Sequence, residues 1–273
     1  MISKTALKAR VDHLSKNYAL VTGASSGLGW YLSEELARLG LNLIAVSNQP
    51  AELEELKDYL ELTYSIAVHT LNMDLAREVA AKSLFDYCEE KDLHVDVLVN
   101  NAGVLVYGEA LTIDYACSLS ILNLHMTTPA LLCRLFGEKM TKCGEGHILN
   151  VSSISAVMPY PTISLYGPTK SFLRNFSRAL RTELKPKGIN ITCLLPGAMD
   201  TRLLKDYNAN LTMAKRIRVV KHPEKVARAG IKALYRNRSE CIPGMLNILT
   251  IWLLPIVPHF IIGLIYRRSR PNT

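Results

Sequence analysis

The sequence predicts an α/β fold, a doubly wound and mostly parallel sheet with helices on both faces. Three observations carry this prediction: short apolar runs alternate with longer segments of helical period, the runs are continuously apolar, and a glycine-rich turn follows the first run. Continuous apolarity is typical of strands covered on both faces, and the alternation is typical of repeated βαβ units. Right-handed crossovers between such units place helices on both sides of the sheet.

The apolar runs predict six strands, at residues 18–22, 41–46, 66–71, 95–99, 147–151 and 189–195. The segments between them predict helices at residues 28–39, 51–62, 76–90, 112–140 and 171–184. A later helix is predicted to have Pro223 at its first position, where a missing N–H costs nothing, and to end near Arg236. We expect one domain over residues 1–273, with a core at about 18–201, a substrate-covering basic segment at about 202–240 and an apolar C-terminal helical extension at 241–273.

Charge is distributed unevenly along this chain. Its 32 Lys+Arg and 24 Asp+Glu give a formal charge of +8, yet there are 18 basic and 21 acidic residues up to Thr201 and 14 basic and 3 acidic residues after it. With 49% hydrophobic and 21% charged residues, the composition is that of a globular protein and excludes collagen, coiled coil and disorder. The basic tail borders an apolar stretch rather than a motif that reads or stacks bases, so no nucleic-acid binding is predicted.

The cysteines and histidines predict neither disulfides nor a metal site. The 6 cysteines lie far apart without a C-x-x-C pair, and the histidines lack metal-ligand spacing. Residues 1–16 contain no apolar run long enough for a signal peptide. We therefore expect a reducing, cytoplasmic environment.

A glycine-rich turn follows the first predicted strand and opens the first predicted helix. Gly23 permits a tight turn, Gly27 lets the backbone approach a pyrophosphate, and Gly29 lets helix and strand pack closely. The free N–H groups and the positive dipole end of the helix attract anions. This turn therefore predicts a dinucleotide-binding site.

The turn lies in Thr22-Gly23-Ala24-Ser25-Ser26-Gly27-Leu28-Gly29, and in this form the chain resembles the short-chain dehydrogenase/reductase family over about residues 19–201. Four further motifs match in the family's order: Asn72-Met73-Asp74-Leu75, Asn100-Asn101-Ala102-Gly103, Ser153 with Tyr166-x-x-x-Lys170, and Pro196-Gly197 with Thr201. The resemblance implies a nicotinamide cofactor held by Thr22, Gly23, Ser25, Ser26, Gly27, Leu28, Gly29, Ser47, Asn48, Asp74, Leu75, Asn101, Ala102, Gly103, Tyr166, Lys170, Pro196, Gly197 and Thr201.

The predicted catalytic pair, Tyr166 and Lys170, is four residues apart and so shares one helix face. A tyrosine with a pKa of about 10 is a poor acid or base near neutrality, and a nearby ammonium together with a cationic oxidised nicotinamide would lower that pKa. By resemblance, Tyr166 protonates a carbonyl oxygen as hydride arrives at carbon, and Lys170 also holds the nicotinamide ribose. Ser153 would bond the substrate oxygen, and Asn123 would support a water-linked proton relay to the lysine.

The choice of cofactor depends on Ser47-Asn48-Gln49, at the end of the second predicted strand. No carboxylate is present there to bond a ribose 2′-hydroxyl or to repel a 2′-phosphate. Asn48 stands where the family's phosphate-binding Arg is expected. We predict NADP(H), with NAD(H) as the alternative.

Together these residues predict an oxidoreductase that interconverts a ketone and a secondary alcohol on a hydrophobic substrate, with reduction as the expected direction. Met158-Pro159-Tyr160-Pro161 and Ile242-Pro243-Gly244 resemble the branch that reduces 3-oxo groups on long acyl chains, sphingoid bases or steroids. The basic residues between 202 and 221 suit an anionic substrate, acidic headgroups or a solvated surface. The alternative class is a non-catalytic cofactor-binding regulatory or scaffold protein on the same fold.

Residues 241–266 contain no Asp, Glu, Lys or Arg and are followed by arginines at 267, 268 and 270. Pro255 and Pro258 would break a spanning helix at mid-depth. A pair of short helices in the cytoplasmic membrane interface is therefore favoured over a span. A cover for an apolar substrate pocket, or a subunit interface in a homo-oligomer, is the soluble alternative.

Overall fold

The structure, a computed structural model, describes residues 18–157, 160–199 and 222–269. Its centre is a seven-stranded parallel sheet in the order β3-β2-β1-β4-β5-β6-β7. The strands are β1 Tyr18–Thr22, β2 Asn42–Ser47, β3 Val68–Asn72, β4 Val95–Asn100, β5 Gly146–Val151, β6 Ile189–Leu194 and β7 Glu240–Cys241. The strand order reverses between β1 and β4, and in open α/β sheets ligands bind above the carboxyl ends of the strands at this point.

Helices cover both faces of the sheet, as the alternation predicts. The helices of the described residues are α1 Gly27–Ala37, α2 Pro50–Tyr64, α3 Ala80–Glu90, α4 Tyr115–Leu122, α5 Thr128–Cys143, α6 Tyr166–Leu184, α7 Pro223–Tyr235, α8 Met245–Leu253 and α9 His259–Ser269. Helices α1, α2 and α7 pack on one face through a cluster that includes Leu32, Leu56 and Leu234. Helices α3, α5 and α6 pack on the other face with Leu84 and Phe136.

All six predicted strands are confirmed to within two residues at each end. The seventh strand, β7, was not predicted because its two residues are too short to show any period. It pairs with the end of β6 through Cys193 with Glu240 and Leu194 with Cys241.

The predicted helix at 112–140 is wrong at its start and in its continuity. It begins at Tyr115, where the Asp114 carboxylate caps the helix by accepting the Cys117 N–H at 3.1 Å. A π-helical turn, Asn123–Thr127, then separates α4 from α5. Pro129 explains the turn, because it lacks an N–H and its ring crowds the carbonyl four residues earlier.

The catalytic helix begins earlier than the predicted 171–184. It starts at Tyr166, so Pro168 lies in its first turn, where an N–H has no partner inside the helix. Helix α3 begins later than predicted, at Ala80, because the Asp74 carboxylate holds the Ala76 N–H in a turn at 2.9 Å.

The apolar tail forms two short helices, as predicted. The segments Met245–Ile256 and His259–Arg268 meet at 107° at the break that contains Val257 and Pro258. By length and composition alone, the described residues contain one helical stretch able to cross a membrane, Tyr115–Cys143, and this bent pair. This stretch connects β4 to β5, and Leu132 and Phe136 of its second half pack in the core, whereas Leu119 of its first half is exposed.

Candidate active site

The site is a cleft above the carboxyl ends of β1, β4 and β5. The glycine-rich turn leaves β1, the Asn-Asn-Ala-Gly turn leaves β4, and Ser153 follows β5. Helix α6 supplies Tyr166 and Lys170 from the same side. The predicted phosphate-binding and catalytic motifs therefore meet at one edge of the sheet.

The glycine-rich turn has the shape of an anion cradle. Gly23 and Gly27 have φ angles of +64° and +57°, in the left-handed region that favours glycine. A Cβ on Gly29 would lie 1.9 Å from the Gly23 carbonyl oxygen. The N-cap residue, Ser26, makes no side-chain bond to the first amides of α1. Those amides can receive a phosphate, so this turn fits the pyrophosphate of a dinucleotide.

Thr22 and Asn101, both predicted cofactor residues, hold the two turns together. The Thr22 hydroxyl donates to the Val99 carbonyl at 3.2 Å and accepts the N–H groups of Asn101 and Ala102 at 2.9 and 3.1 Å. The Asn101 side-chain amide donates to the carbonyls of Thr22 and Gly23 at 3.0 and 3.1 Å. Their side chains thus set the shape of the cleft floor.

At the end of β2, the predicted specificity residues differ in accessibility: Ser47 is buried, whereas Asn48 and Gln49 are exposed. The hydroxyls of Ser25 and Ser47 are buried and hydrogen-bonded to each other at 2.8 Å. Asn48 is exposed at the strand end. The side chains of Asn48 and Gln49 are therefore open to a ribose or a 2′-phosphate, whereas that of Ser47 is not.

After β3, Asp74 and Leu75 differ in accessibility. Asp74 is exposed, with one carboxylate oxygen bonded to the Ala76 N–H. The Leu75 side chain is buried in the core, and its carbonyl accepts the Thr128 hydroxyl at 2.8 Å. Asp74 is thus open to a ligand, whereas the Leu75 side chain is not.

The structure brings Ser153, Tyr166 and Lys170 together. Tyr166 is half-buried, and Ser153 and Lys170 are buried. The Ser153 hydroxyl faces the Tyr166 phenol closely enough to lower its pKa. The Lys170 Nζ atom lies 5.8 Å from the centre of the Tyr166 ring and donates to the Val151 carbonyl at 3.1 Å.

Burial dominates the ionisation of the catalytic pair. It raises the pKa of Tyr166, while the hydrogen bond from Ser153 lowers it in part. Burial also lowers the pKa of Lys170 to about 8. Burial outweighs the effect of Ser153 on the Tyr166 pKa, and the predicted lowering, which also requires the charge of an oxidised nicotinamide, stays a prediction.

Asn123 opens the π-helical turn and is half-buried. Its carbonyl accepts the Thr128 N–H. A cavity of about 10 Å³, close to the volume that one water needs, lies beside Lys170 and is lined by Asn100, His125 and Thr128 among others. Asn123 is not among the residues lining it, and its role in a proton relay stays a prediction.

Two residues of the site were missed from the sequence, His125 and Thr169. His125 is fully buried, bonds the Val104 N–H and the Thr169 hydroxyl at 3.0 Å each, and places its ring 5.7 Å from the ring of Tyr166. A single histidine within a helical period carries no signal of such contacts. In the sequence, Pro129 was the indication of an unusual backbone here, because a proline disturbs the helix before it.

Pro196 and Gly197 close the cleft beyond β6. The Pro196 carbonyl accepts the Ile154 N–H at 3.0 Å. A Cβ on Gly197 would lie 2.6 Å from the side-chain amide of Asn247, so α8 packs directly on this turn. Thr201 and the basic residues predicted at 202–221 lie outside the described residues.

The described residues contain no group of three or more His, Cys, Asp or Glu side chains placed to hold a metal ion. The six cysteines, all within the described residues, are free.

Comparisons with known proteins agree with this geometry. A family model described as short chain dehydrogenase matches residues 17–212. The 17-beta-hydroxysteroid dehydrogenase type 3 of Rattus norvegicus is 31% identical over 236 residues, 85% of this chain and 76% of that protein. Very-long-chain 3-oxoacyl-CoA reductase-B of Danio rerio is 34% identical over 218 residues, 78% of this chain and 68% of that protein. A solved structure, the short-chain dehydrogenase from Sphingobium yanoikuyae in complex with NADPH, matches with a TM-score of 0.78 at 26% identity over 94% of this chain and 98% of that one.

Proposed function

Because this chain belongs to the short-chain dehydrogenase family of oxidoreductases, we propose that it is an NADP(H)-dependent reductase that converts a ketone on a hydrophobic substrate into a secondary alcohol. The observation that carries this proposal is the meeting of Ser153, Tyr166 and Lys170 at the mouth of a cleft that also contains the anion cradle. Carbonyl reduction requires a proton donor, a second hydrogen-bond donor for the substrate oxygen and a place for the cofactor.

Each of these side chains has a distinct task. The Ser153 hydroxyl donates to the substrate oxygen, where negative charge develops as the carbonyl is reduced. The Tyr166 hydroxyl supplies the proton to that oxygen, and the Lys170 ammonium together with the positive charge of an oxidised nicotinamide would offset the burial that raises its pKa. The Lys170 ammonium stabilises the phenolate that remains, and a water in the adjacent cavity can return the proton. The nicotinamide, when bound, supplies the hydride.

Replacement of Tyr166 by Phe tests the assignment. We expect the variant to lose nearly all NADPH oxidation with a ketone while it binds NADPH as the wild type does, because the ring remains and only the hydroxyl is removed. Tyr59→Phe is the matched control, since Tyr59 lies on α2 and its hydroxyl bonds Glu34 at 3.1 Å, outside the cleft. Retained turnover in Tyr166→Phe would refute the role given to Tyr166.

The alternative, a non-catalytic cofactor-binding scaffold, makes a different prediction. Such a protein binds NADPH, but no ketone causes it to oxidise NADPH, and Tyr166→Phe then leaves its NADPH affinity unchanged. The burial of Lys170 argues for catalysis, because a buried ammonium without a carboxylate partner among its described contacts is a costly feature for a scaffold.

The preference for NADP(H) is supported by the exposed Asn48. No carboxylate stands at this strand end to repel a 2′-phosphate. We expect Asn48→Asp to shift the ratio of NADPH to NADH affinity toward NADH by at least about tenfold, which corresponds to about 1.4 kcal/mol, and Asn48→Ser to leave it nearly unchanged. A wild type that prefers NADH tenfold would contradict the proposal.

The substrate is proposed to be an apolar ketone, such as an acyl-chain, sphingoid or steroid ketone. Apolar side chains are exposed after the Asn-Asn-Ala-Gly turn, at Val104, Leu111 and Leu119. This segment contacts the residues that lead into the catalytic helix, because the Gly108 N–H donates to the Thr162 carbonyl at 2.8 Å. Two relatives, named as a hydroxysteroid dehydrogenase and a very-long-chain 3-oxoacyl-CoA reductase, have names that denote such substrates.

Initial rates of NADPH oxidation with long-chain 3-oxoacyl thioesters, 3-ketosphinganine and ketosteroids test this class. A short polar ketone serves as the control. Higher kcat/KM for the polar ketone than for all apolar ones would contradict the proposal.

We also infer that the apolar tail touches the cytoplasmic face of an anionic membrane. Ile251 and Asn247 of α8 face the protein, whereas the large apolar side chains on the other side of the helix pair are exposed. The exposed fractions are 82% for Met245, 72% for Trp252, 75% for Ile256 and 76% for Phe260. The exposed Arg267 and Arg268 end α9, so the pair combines apolar side chains with positive charge, as interfacial helices do.

Flotation with lipid vesicles tests this contact. We expect the protein to float with vesicles of phosphatidylcholine and phosphatidylserine more than with phosphatidylcholine alone, and Trp252→Glu to stop it. The exposed Leu62→Glu on α2 is the matched control. Absence of flotation, together with a dimer that Trp252→Glu dissociates, would show instead that this surface is a subunit interface.

A further inference from the structure

We propose that His125 is a positioning residue that joins the turn after β4 to the catalytic helix through a chain of hydrogen bonds with one fixed direction. This inference rests on the proposed reductase function, and it concerns a histidine that the predicted mechanism did not use. The chain runs from the Val104 N–H through the His125 ring and the Thr169 hydroxyl to the Tyr166 carbonyl.

The direction of each bond follows from the groups themselves. A backbone N–H can only donate, so Val104 donates to the Nε2 atom of His125 at 3.0 Å and that nitrogen carries no proton. The ring is then neutral with its proton on Nδ1, which donates to the Thr169 hydroxyl oxygen at 3.0 Å. The Thr169 hydroxyl gives its own proton to the Tyr166 carbonyl at 2.9 Å. The geometry therefore assigns one tautomer and leaves no place for a second ring proton.

The surroundings of the ring favour the neutral form. His125 is fully buried, and burial together with the nearby Lys170 charge lowers its pKa well below the usual value. The ring also lies edge-on to Tyr166, with 5.7 Å between centroids. A Cβ on Gly103 would lie 3.1 Å from His125 Nε2 and 3.3 Å from Lys170 Nζ, so the turn, the imidazole and the ammonium are packed around one point.

The connection has a mechanical consequence. The Asn-Asn-Ala-Gly turn follows β4 and is part of the cleft floor, whereas Tyr166 and Lys170 lie on α6, which follows β5. His125 and Thr169 set the distance between them. Loss of the connection should therefore displace the phenol relative to the floor of the cleft and lower kcat more than it weakens cofactor binding.

Thr169→Val and Thr169→Ser form the decisive pair. Valine keeps the shape and removes the hydroxyl, whereas serine keeps the hydroxyl. We expect Thr169→Val to lower kcat about tenfold, with KM for the ketone and the Kd for NADPH within about threefold of wild type, and Thr169→Ser to restore most of kcat. Thr182→Val on the same helix is the control, because its hydroxyl bonds only the Arg178 carbonyl, at 3.2 Å, among the described contacts.

A second measurement reads the ring directly. Nitrogen NMR of the protein with labelled histidine should show one neutral Nδ1–H ring near neutral pH, and that signal should shift in Thr169→Val and disappear in His125→Phe. His125→Phe keeps an aromatic ring at the Tyr166 contact but has neither hydrogen bond. If this variant fails to fold, the signal is assigned from the Thr169 pair.

The outcomes separate this inference from the proposed function. If the wild type reduces ketones and Thr169→Val keeps full kcat, the positioning role is overturned while the function stands. An Nε2–H or doubly protonated ring at position 125 also overturns it. If no ketone causes the wild type to oxidise NADPH, the proposed function fails. The His125 tautomer, and its response to Thr169→Val, then still shows whether the connection exists.

Discussion

Replacement of Gly29 by Ala tests the packing of the glycine-rich turn. In a helix, Gly→Ala ordinarily stabilises by up to about 1 kcal/mol, because alanine has less backbone freedom to lose. At Gly29 the added Cβ would lie 1.9 Å from the Gly23 oxygen and 2.7 Å from the Asn101 amide nitrogen. Since ordinary contact begins near 3.4 Å, the turn must retreat by about 1.5 Å.

This displacement determines the expected magnitude. Overpacking of a well-filled site costs about 1–3 kcal/mol, which outweighs the gain in helix propensity. The retreat also pulls Gly23 away from the Asn101 amide, whose bonds to Thr22 and Gly23 hold the two turns together. We expect the loss of one amide bond to phosphate, about 1.5–3 kcal/mol, and hence NADPH binding weaker by about 10- to 100-fold.

Gly263→Ala provides the matched control. Gly263 lies within α9, and an added Cβ there has nothing within 4 Å. This variant should be as stable as the wild type or more stable by up to about 1 kcal/mol, with NADPH binding unchanged. Urea unfolding followed by circular dichroism measures the stability, and NADPH fluorescence titration measures the affinity. A Gly29→Ala protein with wild-type stability and wild-type affinity would refute the reasoning.

Three further predictions concern groups outside this turn. Lys170→Met removes an ammonium whose pKa is lowered by burial from 10.5 to about 8. Because the unfolded chain holds that proton more tightly, the variant should be more stable than the wild type by roughly 3 kcal/mol near neutral pH, and this difference should vanish above about pH 10.5. Urea unfolding measures it, and a difference that does not depend on pH would contradict the assignment. Glu240→Gln weakens the bidentate ion pair with Arg174, whose two N–O distances are 2.8 and 3.1 Å, and should lower the free energy of unfolding by about 1–2 kcal/mol. An unchanged free energy of unfolding would mean that β7 is held by its backbone pairing alone. Iodoacetamide at mildly alkaline pH should label the exposed Cys143 and spare Cys133, which is buried and whose pKa is raised to about 12, as mass spectrometry of the peptides would show; equal labelling would mean that the core opens readily.

The predictability of each element follows from how local its determinants are. The six long strands and the helix of α7 carry their own apolar pattern, so they could be read from the chain. The two-residue β7 depends on pairing with β6, and the break at Asn123–Thr127 depends on how Pro129 distorts a helix that the pattern alone predicts as continuous. Such effects act through backbone hydrogen bonds, which a hydropathy pattern does not contain.

The site shows the same division. Spacing along one helix was enough to put Tyr166 and Lys170 on one face, and the turn glycines were enough to predict an anion cradle. The accessibility of the predicted cofactor residues was not predictable, because Leu75 proves to be core and Asn101 braces the cleft floor. Burial and hydrogen-bond partners depend on residues tens of positions away.

The fold class, the order of the strands along the chain and the catalytic helix face could all be established from the amino-acid sequence, because each follows from residue types at short, regular spacing. Two contacts become visible only in the folded protein: His125 contacts Thr169, 44 positions later, and α8 packs on the turn at Gly197. Both contacts arise where distant segments pack around the ends of β4 and β6. The side-chain contacts in a cleft depend on how whole helices and strands pack against one another, and local residue patterns do not contain that information.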